Sequence, residues 1–182
     1  MEKILENYIF PNIKKEEIET VKQNILVSII IFLLSLFSRA EAYAVVYSID
    51  VGSVLKLFFT NLVGVIFVLF VFTIWIGFVS VLFKKNIFIN KYFSGLLNMF
   101  SIYMLLLPIS LLLLFLNLKF LYFFIEMFFG LIVLSRILKY TKEFCGFSEK
   151  EMLFIVGVPI VFISLIFLLP VIYILLFIYG KI

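Results

Sequence analysis

Between Lys56 and Lys84 the chain runs for twenty-seven residues without a charged side chain, and between Tyr92 and Leu118 it does so again. A helix rises about 1.5 Å per residue, so each run is long enough to cross the roughly 30 Å hydrocarbon core of a bilayer with tilt. Water-soluble packing cannot accommodate such runs, because 65% of all residues are hydrophobic and a soluble domain is nearer half. The mean hydropathy is +1.28. The expected fold is therefore all-α: a polytopic transmembrane helical bundle forming one domain.

The chain in order predicts five spans. Residues 1–24 form a cytosolic amphipathic lead, with Ile4, Leu5, Tyr8 and Ile9 on one face and Pro11 breaking the run. It can dock on the membrane surface or on a protein partner, or simply lead into the first span. The transmembrane domain occupies 25–180, with spans near 25–40, 57–83, 92–118, 120–135 and 152–179. Only sixteen residues separate Lys22 from Arg39, so the first helix is expected to run on through Ala40 to Val46, with both cations snorkelling. Pro108 is expected to kink the third span.

Between the fourth and fifth spans lies the longest charged interruption of the second half, Arg136 to Glu151. Arg136, Lys139 and Lys142 fall at helical spacing, Gly146 can end a helix in the left-handed conformation, and Ser148 with Glu151 makes an S-x-x-E capping box. The segment reads as helix end, short turn and helix start on the cytosolic side: a positively charged topological anchor, or a docking loop for a partner. Cys145 reads as a loop thiol on the same side. With the N-terminus inside, the inner segments carry eleven Lys or Arg and the outer ones four, the bias the positive-inside rule requires. The expected topology is N-in/C-out.

Chemistry-bearing residues are few. The chain has no histidine and one cysteine, which removes the common general base, the common metal ligand and any intrachain disulfide. No cofactor, metal site or enzymatic activity is expected, and the scattered basic residues do not make a nucleic-acid surface. Glu126 is the acid placed well inside a span, seven residues beyond Lys119. An intramembrane carboxylate is a candidate site by default. Thr60, Asn61 and Ser35 lie at similar depth, with Arg39 able to reach down, so an outer-half polar cluster is possible. It would be either a proton or cation site, or a hydrogen-bonded staple between helices. Gly64, Gly77, Ser80, Ser94, Asn98, Ser101 and Gly130 are expected to face protein, because lipid tails supply no hydrophobic drive for helix association.

Three features together resemble the prokaryotic form of the Yip1 family: the Phe10-Pro11-Asn12-Ile13 lead, the five-span layout, and Gly146-Phe147-Ser148 opening a span after a basic helix end. The Asp-Leu-Tyr-Gly-Pro signature of eukaryotic members is absent, so no functional residue and no GTPase partner is carried over from it. The expected function is a non-enzymatic scaffold, accessory subunit or membrane-organising protein, in contact with the bilayer and with a membrane-protein partner or copies of itself. The expected location is a prokaryotic cytoplasmic membrane. The alternative is a small transporter or channel subunit that uses Glu126.

Overall fold

The computed structural model describes residues 25–179, and every regular element among them is helical. The amphipathic lead at 1–24 lies outside the described residues. We number the α-helices α1 (Ile25–Tyr47), α2 (Val51–Leu82), α3 (Ile89–Asn98), α4 (Leu106–Phe115), α5 (Tyr122–Cys145) and α6 (Glu149–Tyr179). A 3₁₀ segment, Met99–Leu105, joins α3 to α4, and a 3₁₀ turn, Lys119–Leu121, opens α5. Among the described residues four stretches are long and apolar enough to cross a membrane: Ile25–Tyr47, Val51–Leu82, Ile89–Phe115 and Lys119–Cys145. By length and composition the chain is a multi-pass membrane protein.

The chain divides at Gly146 into two compact units. In the first, α1 packs along the whole third span and also against α2, and α5 packs against that span as well. The α2 helix presents one stripe to its neighbours: Leu69, Thr73, Ile76, Val79 and Ser80 are buried, and no residue before Leu69 is. Its remaining surface is apolar and exposed, with Phe59, Val63, Phe67, Phe70 and Phe78 among the residues outside the packing stripe. Such a surface is stable against lipid and not against water. The second unit is α6, which starts at Glu149 and continues through Pro159 and Pro170.

Helix ends follow one device. Ser48, Lys84 and Asn117 each take positive φ, at 55°, 53° and 57°. The amide two residues after the last helical turn then reaches back: Ile49 N to Ala44 O at 3.1 Å, Lys85 N to Ser80 O at 2.8 Å, and Leu118 N to Leu113 O at 2.8 Å. These are Schellman stops built on residues other than glycine. Gly146, at φ 63°, ends α5 with its amide on Lys142 O. Ser48→Gly should therefore stabilise the fold by about 1 kcal/mol by relieving the left-handed strain, read as a higher melting temperature in detergent.

Two helix starts, those of α2 and α6, use side chains. The Asp50 carboxylate accepts from Ser53 N at 3.1 Å and from Ser53 Oγ at 2.7 Å, which caps α2. The Ser53 hydroxyl first, and then its amide, hold the Asp50 carboxyl below the usual carboxylate range. A lowered folded value stabilises above that range, and the contribution is lost as pH falls through the lowered value. Asp50→Ala should lower the melting temperature at neutral pH, and the difference from the native chain should vanish in strong acid. In α6 the Ser148 amide donates to Glu151 Oε2 and the Glu151 amide to Ser148 Oγ at 3.4 Å, a reciprocal capping box.

Several boundaries differ from the sequence reading. The α1 helix runs past Arg39 to Tyr47, the extension its short charge-free run called for, while α2 already starts at Val51 and α5 continues beyond Ser135 to Cys145. Arg136, Lys139 and Lys142 lie within α5, in the helix end their spacing pointed to, and Arg136 is only 7% exposed. The connection shrinks to the turn at Gly146. Cys145 is the last residue of α5 and is buried, so it is not an exposed loop thiol.

Candidate functional site

Pro108 sets up the middle of the bundle. It sits in the first turn of α4, where its missing amide leaves the carbonyl of Met104 without a helical donor. The backbone upstream tightens into the 3₁₀ segment Met99–Leu105, so the irregularity falls before the proline rather than at it. Ser38 on α1 faces this break. Its hydroxyl lies 3.2 Å from Met104 O and 3.3 Å from Tyr103 O, so a neighbouring helix supplies the donor that Pro108 withholds from Met104. Inside a membrane this kind of repair is obligatory, because hydrocarbon supplies no donors.

One residue on, Arg39 projects toward α5. Its Nε donates to Glu126 Oε1 at 2.8 Å, and its Nη2 lies 2.7 Å from the same oxygen. The guanidinium carbon stands 5.2 Å from the centre of the Tyr103 ring, a cation–π distance. The side chains of the pair retain 27% and 21% of their exposure. Below it, Gly130 leaves room for Tyr103, whose hydroxyl would be 3.8 Å from a Cβ added there. Beside it, Tyr122 is fully buried against Tyr43 and Tyr47, with ring centres 6.3 and 6.1 Å away. Glu126, Arg39, Ser38, Tyr103 and Tyr122 thus bring three spans together at the 3₁₀ break.

The other members of the expected outer cluster do not join this site. Ser35 is buried but gives its hydroxyl to Ile31 O on its own helix, at 2.6 Å. Thr60 is exposed and bonds Lys56 O at 2.8 Å. Asn61 is half-buried on α2, in the part of that helix before its packing stripe begins. Equal depth was the basis for grouping these residues with Glu126, and depth does not specify which helices touch. The pairing with Arg39, named for the cluster as a cation reaching down, is the contact the fold makes.

A second polar seam runs along the other end of the third span. Ser94 bonds Ser28 on α1 at 2.8 Å. Ser101 accepts from Arg136 Nη2 at 3.4 Å. Tyr92 donates to Thr141 Oγ1 at 2.8 Å, because the Thr141 hydroxyl proton is directed to Ile137 O at 2.7 Å. Tyr140 stacks on Tyr92 with centres 5.6 Å apart and planes 12° from parallel, and its hydroxyl reaches Lys91 O at 3.4 Å. The Ser94, Asn98, Ser101 stripe therefore divides between two neighbours, α1 and α5. Asn98 Oδ1 is buried and finds no partner among the described residues.

The small residues separate in the same way. Ser80 is buried and Gly77 lies 3.7 Å, measured from an added Cβ, from Ile89 Cδ1. Gly64 is exposed and has no neighbouring atom where a side chain would go, so it does not face protein within the chain. Gly95, which the sequence reading passed over, is the tightest position: a Cβ there would overlap the Tyr140 hydroxyl and ring. Most of the missed residues share one signal, hydroxyl or glycine positions in or at the edge of apolar runs (Ser28, Ser38, Tyr92, Gly95, Tyr103, Tyr122), whereas Thr141 sits among the charges of the α5 end. Among the described residues no three His, Cys, Asp or Glu side chains gather as a metal site. No protein-family model, curated protein or solved structure matches this chain.

Proposed function

We propose that this is a non-enzymatic integral membrane protein that works through helix packing and association: a scaffold, accessory subunit or membrane-organising protein. The observation that carries this reading is the Arg39–Glu126 pair. Glu126 lies seven residues into its span, and its charge is neutralised by a cation of the same chain at 2.7 Å. Two of the three guanidinium nitrogens converge on one carboxylate oxygen, and Tyr103 backs the cation. That is the geometry of a staple between α1 and α5. A carboxylate that must bind and release a proton or cation gains nothing from a permanent guanidinium partner that occupies it.

In this reading α6 is a fifth span. It has 31 residues, about 46 Å at helical rise. The eleven-to-four bias of basic residues gives N-in/C-out in a prokaryotic cytoplasmic membrane. A Yip1-like protein would have this layout. The partner is another membrane protein or a further copy of this chain, and the exposed apolar faces of α2 are where it would pack. Isolation in mild detergent tests this: the full chain should elute as a homo-oligomer or with a stoichiometric membrane partner. A monodisperse monomer that carries ions across liposomes would overturn it.

One observation supports a transporter as second reading. The 3₁₀ break at Met99–Leu105 lies beside an intramembrane ion pair, and interrupted helices line the sites of many carriers. Ion flux that depends on Glu126 would decide for it.

A further inference from the structure

An open groove of about 1040 Å³ lies along the flank of the first unit, between α2, the α2–α3 connection and the start of α3. Its wall on α2 is apolar and runs from Phe70 through Ile74 and Phe78 to Val81. The eleven helical steps from Phe70 to Val81 make that wall about 16 Å long. Gly77 keeps its middle open. The far end changes character, because Lys85, Asn86 and Asn90 line it.

That mouth is built for an anion. Lys84, Lys85 and Lys91 fall within eight positions, and no acidic residue lies between Phe83 and Phe93. Lys85 lines the mouth, with its Nζ 2.9 Å from Gly146 O, and Lys84 precedes it in the Schellman stop of α2. The α3 helix begins there with Phe88 at its cap and no side chain on its first amides. First-turn amides and adjacent lysines together attract phosphate. A long apolar channel that ends in a cationic, amide-rich mouth matches one chemistry, an acyl chain attached to an anionic headgroup.

We propose that this groove binds one anionic phospholipid, with an acyl chain along Phe70 to Val81 and the phosphate at the start of α3 beside Lys85. The proposal rests on the membrane reading of the chain, but not on the role of Glu126.

The test is native mass spectrometry of the full chain in detergent with phosphatidylglycerol and phosphatidylcholine of identical acyl chains. The native chain should retain one phosphatidylglycerol in preference to phosphatidylcholine. Lys84→Gln should weaken that retention roughly fivefold, the scale of one interfacial lysine, and Lys84→Gln/Lys85→Gln more. Val81→Trp, at a residue 75% exposed, should expel lipid of either headgroup without lowering the melting temperature. Equal retention of the two lipids, or unchanged phosphatidylglycerol binding in the lysine variants, would overturn the proposal. So would a photo-crosslinking side chain at position 81 that captures residues 1–24 of the same chain instead of lipid.

Discussion

Glu126→Leu should destabilise the protein by about 3–5 kcal/mol, because it leaves the Arg39 guanidinium in a low-dielectric span without its counter-charge. Arg39→Leu should cost a similar amount by stranding the carboxylate. The double variant should recover most of the loss, since two apolar side chains at a helix contact replace a pair whose desolvation nearly cancels its attraction. Reversible unfolding in detergent, run as a double-mutant cycle, gives the numbers. The two residues donate and accept at 2.7 and 2.8 Å, so a coupling energy near zero would mean the pair does not hold α1 to α5.

The second large effect belongs to Gly95. A methyl group there would occupy the space of the Tyr140 ring end. Tyr140 cannot swing away cheaply: it is buried, stacks on Tyr92 and lies 5.3 Å from the Phe144 ring centre. Gly95→Ala should cost about 1–3 kcal/mol, the usual scale of overpacking. Tyr140→Leu in the Gly95→Ala background should return part of it by vacating the contact. A neutral Gly95→Ala would mean that α3 and α5 are not in this register.

How much of this was legible in the sequence depends on the kind of information each feature needs. The apolar runs give helices that can cross a membrane, since length and charge spacing decide that alone. Gly146 as a helix stop and the Ser148–Glu151 capping bonds are local, so their residue types suffice. Ser48, Lys84 and Asn117 as stops were hidden, because only glycine advertises a positive φ. Arg136 looked like a surface cation because charge was read as a span boundary, whereas the helix continues and buries it against the third span. The partner of Glu126 depends on which helix lies next to α5 and how each is rotated. Depth along a span carries neither fact. Arg39 is the contact because Ser38, its neighbour, is drawn to the Met104 and Tyr103 carbonyls, which orients that turn of α1 toward the 3₁₀ break.

Proton and cation flux through proteoliposomes tests the central claim most directly, with the native chain compared with Glu126→Gln and the Arg39→Leu/Glu126→Leu double variant. If the pair is a staple, all three preparations should show the background leak of empty liposomes, while the melting temperatures differ. A flux above background in the native chain, abolished by Glu126→Gln in a protein that remains folded, would contradict it.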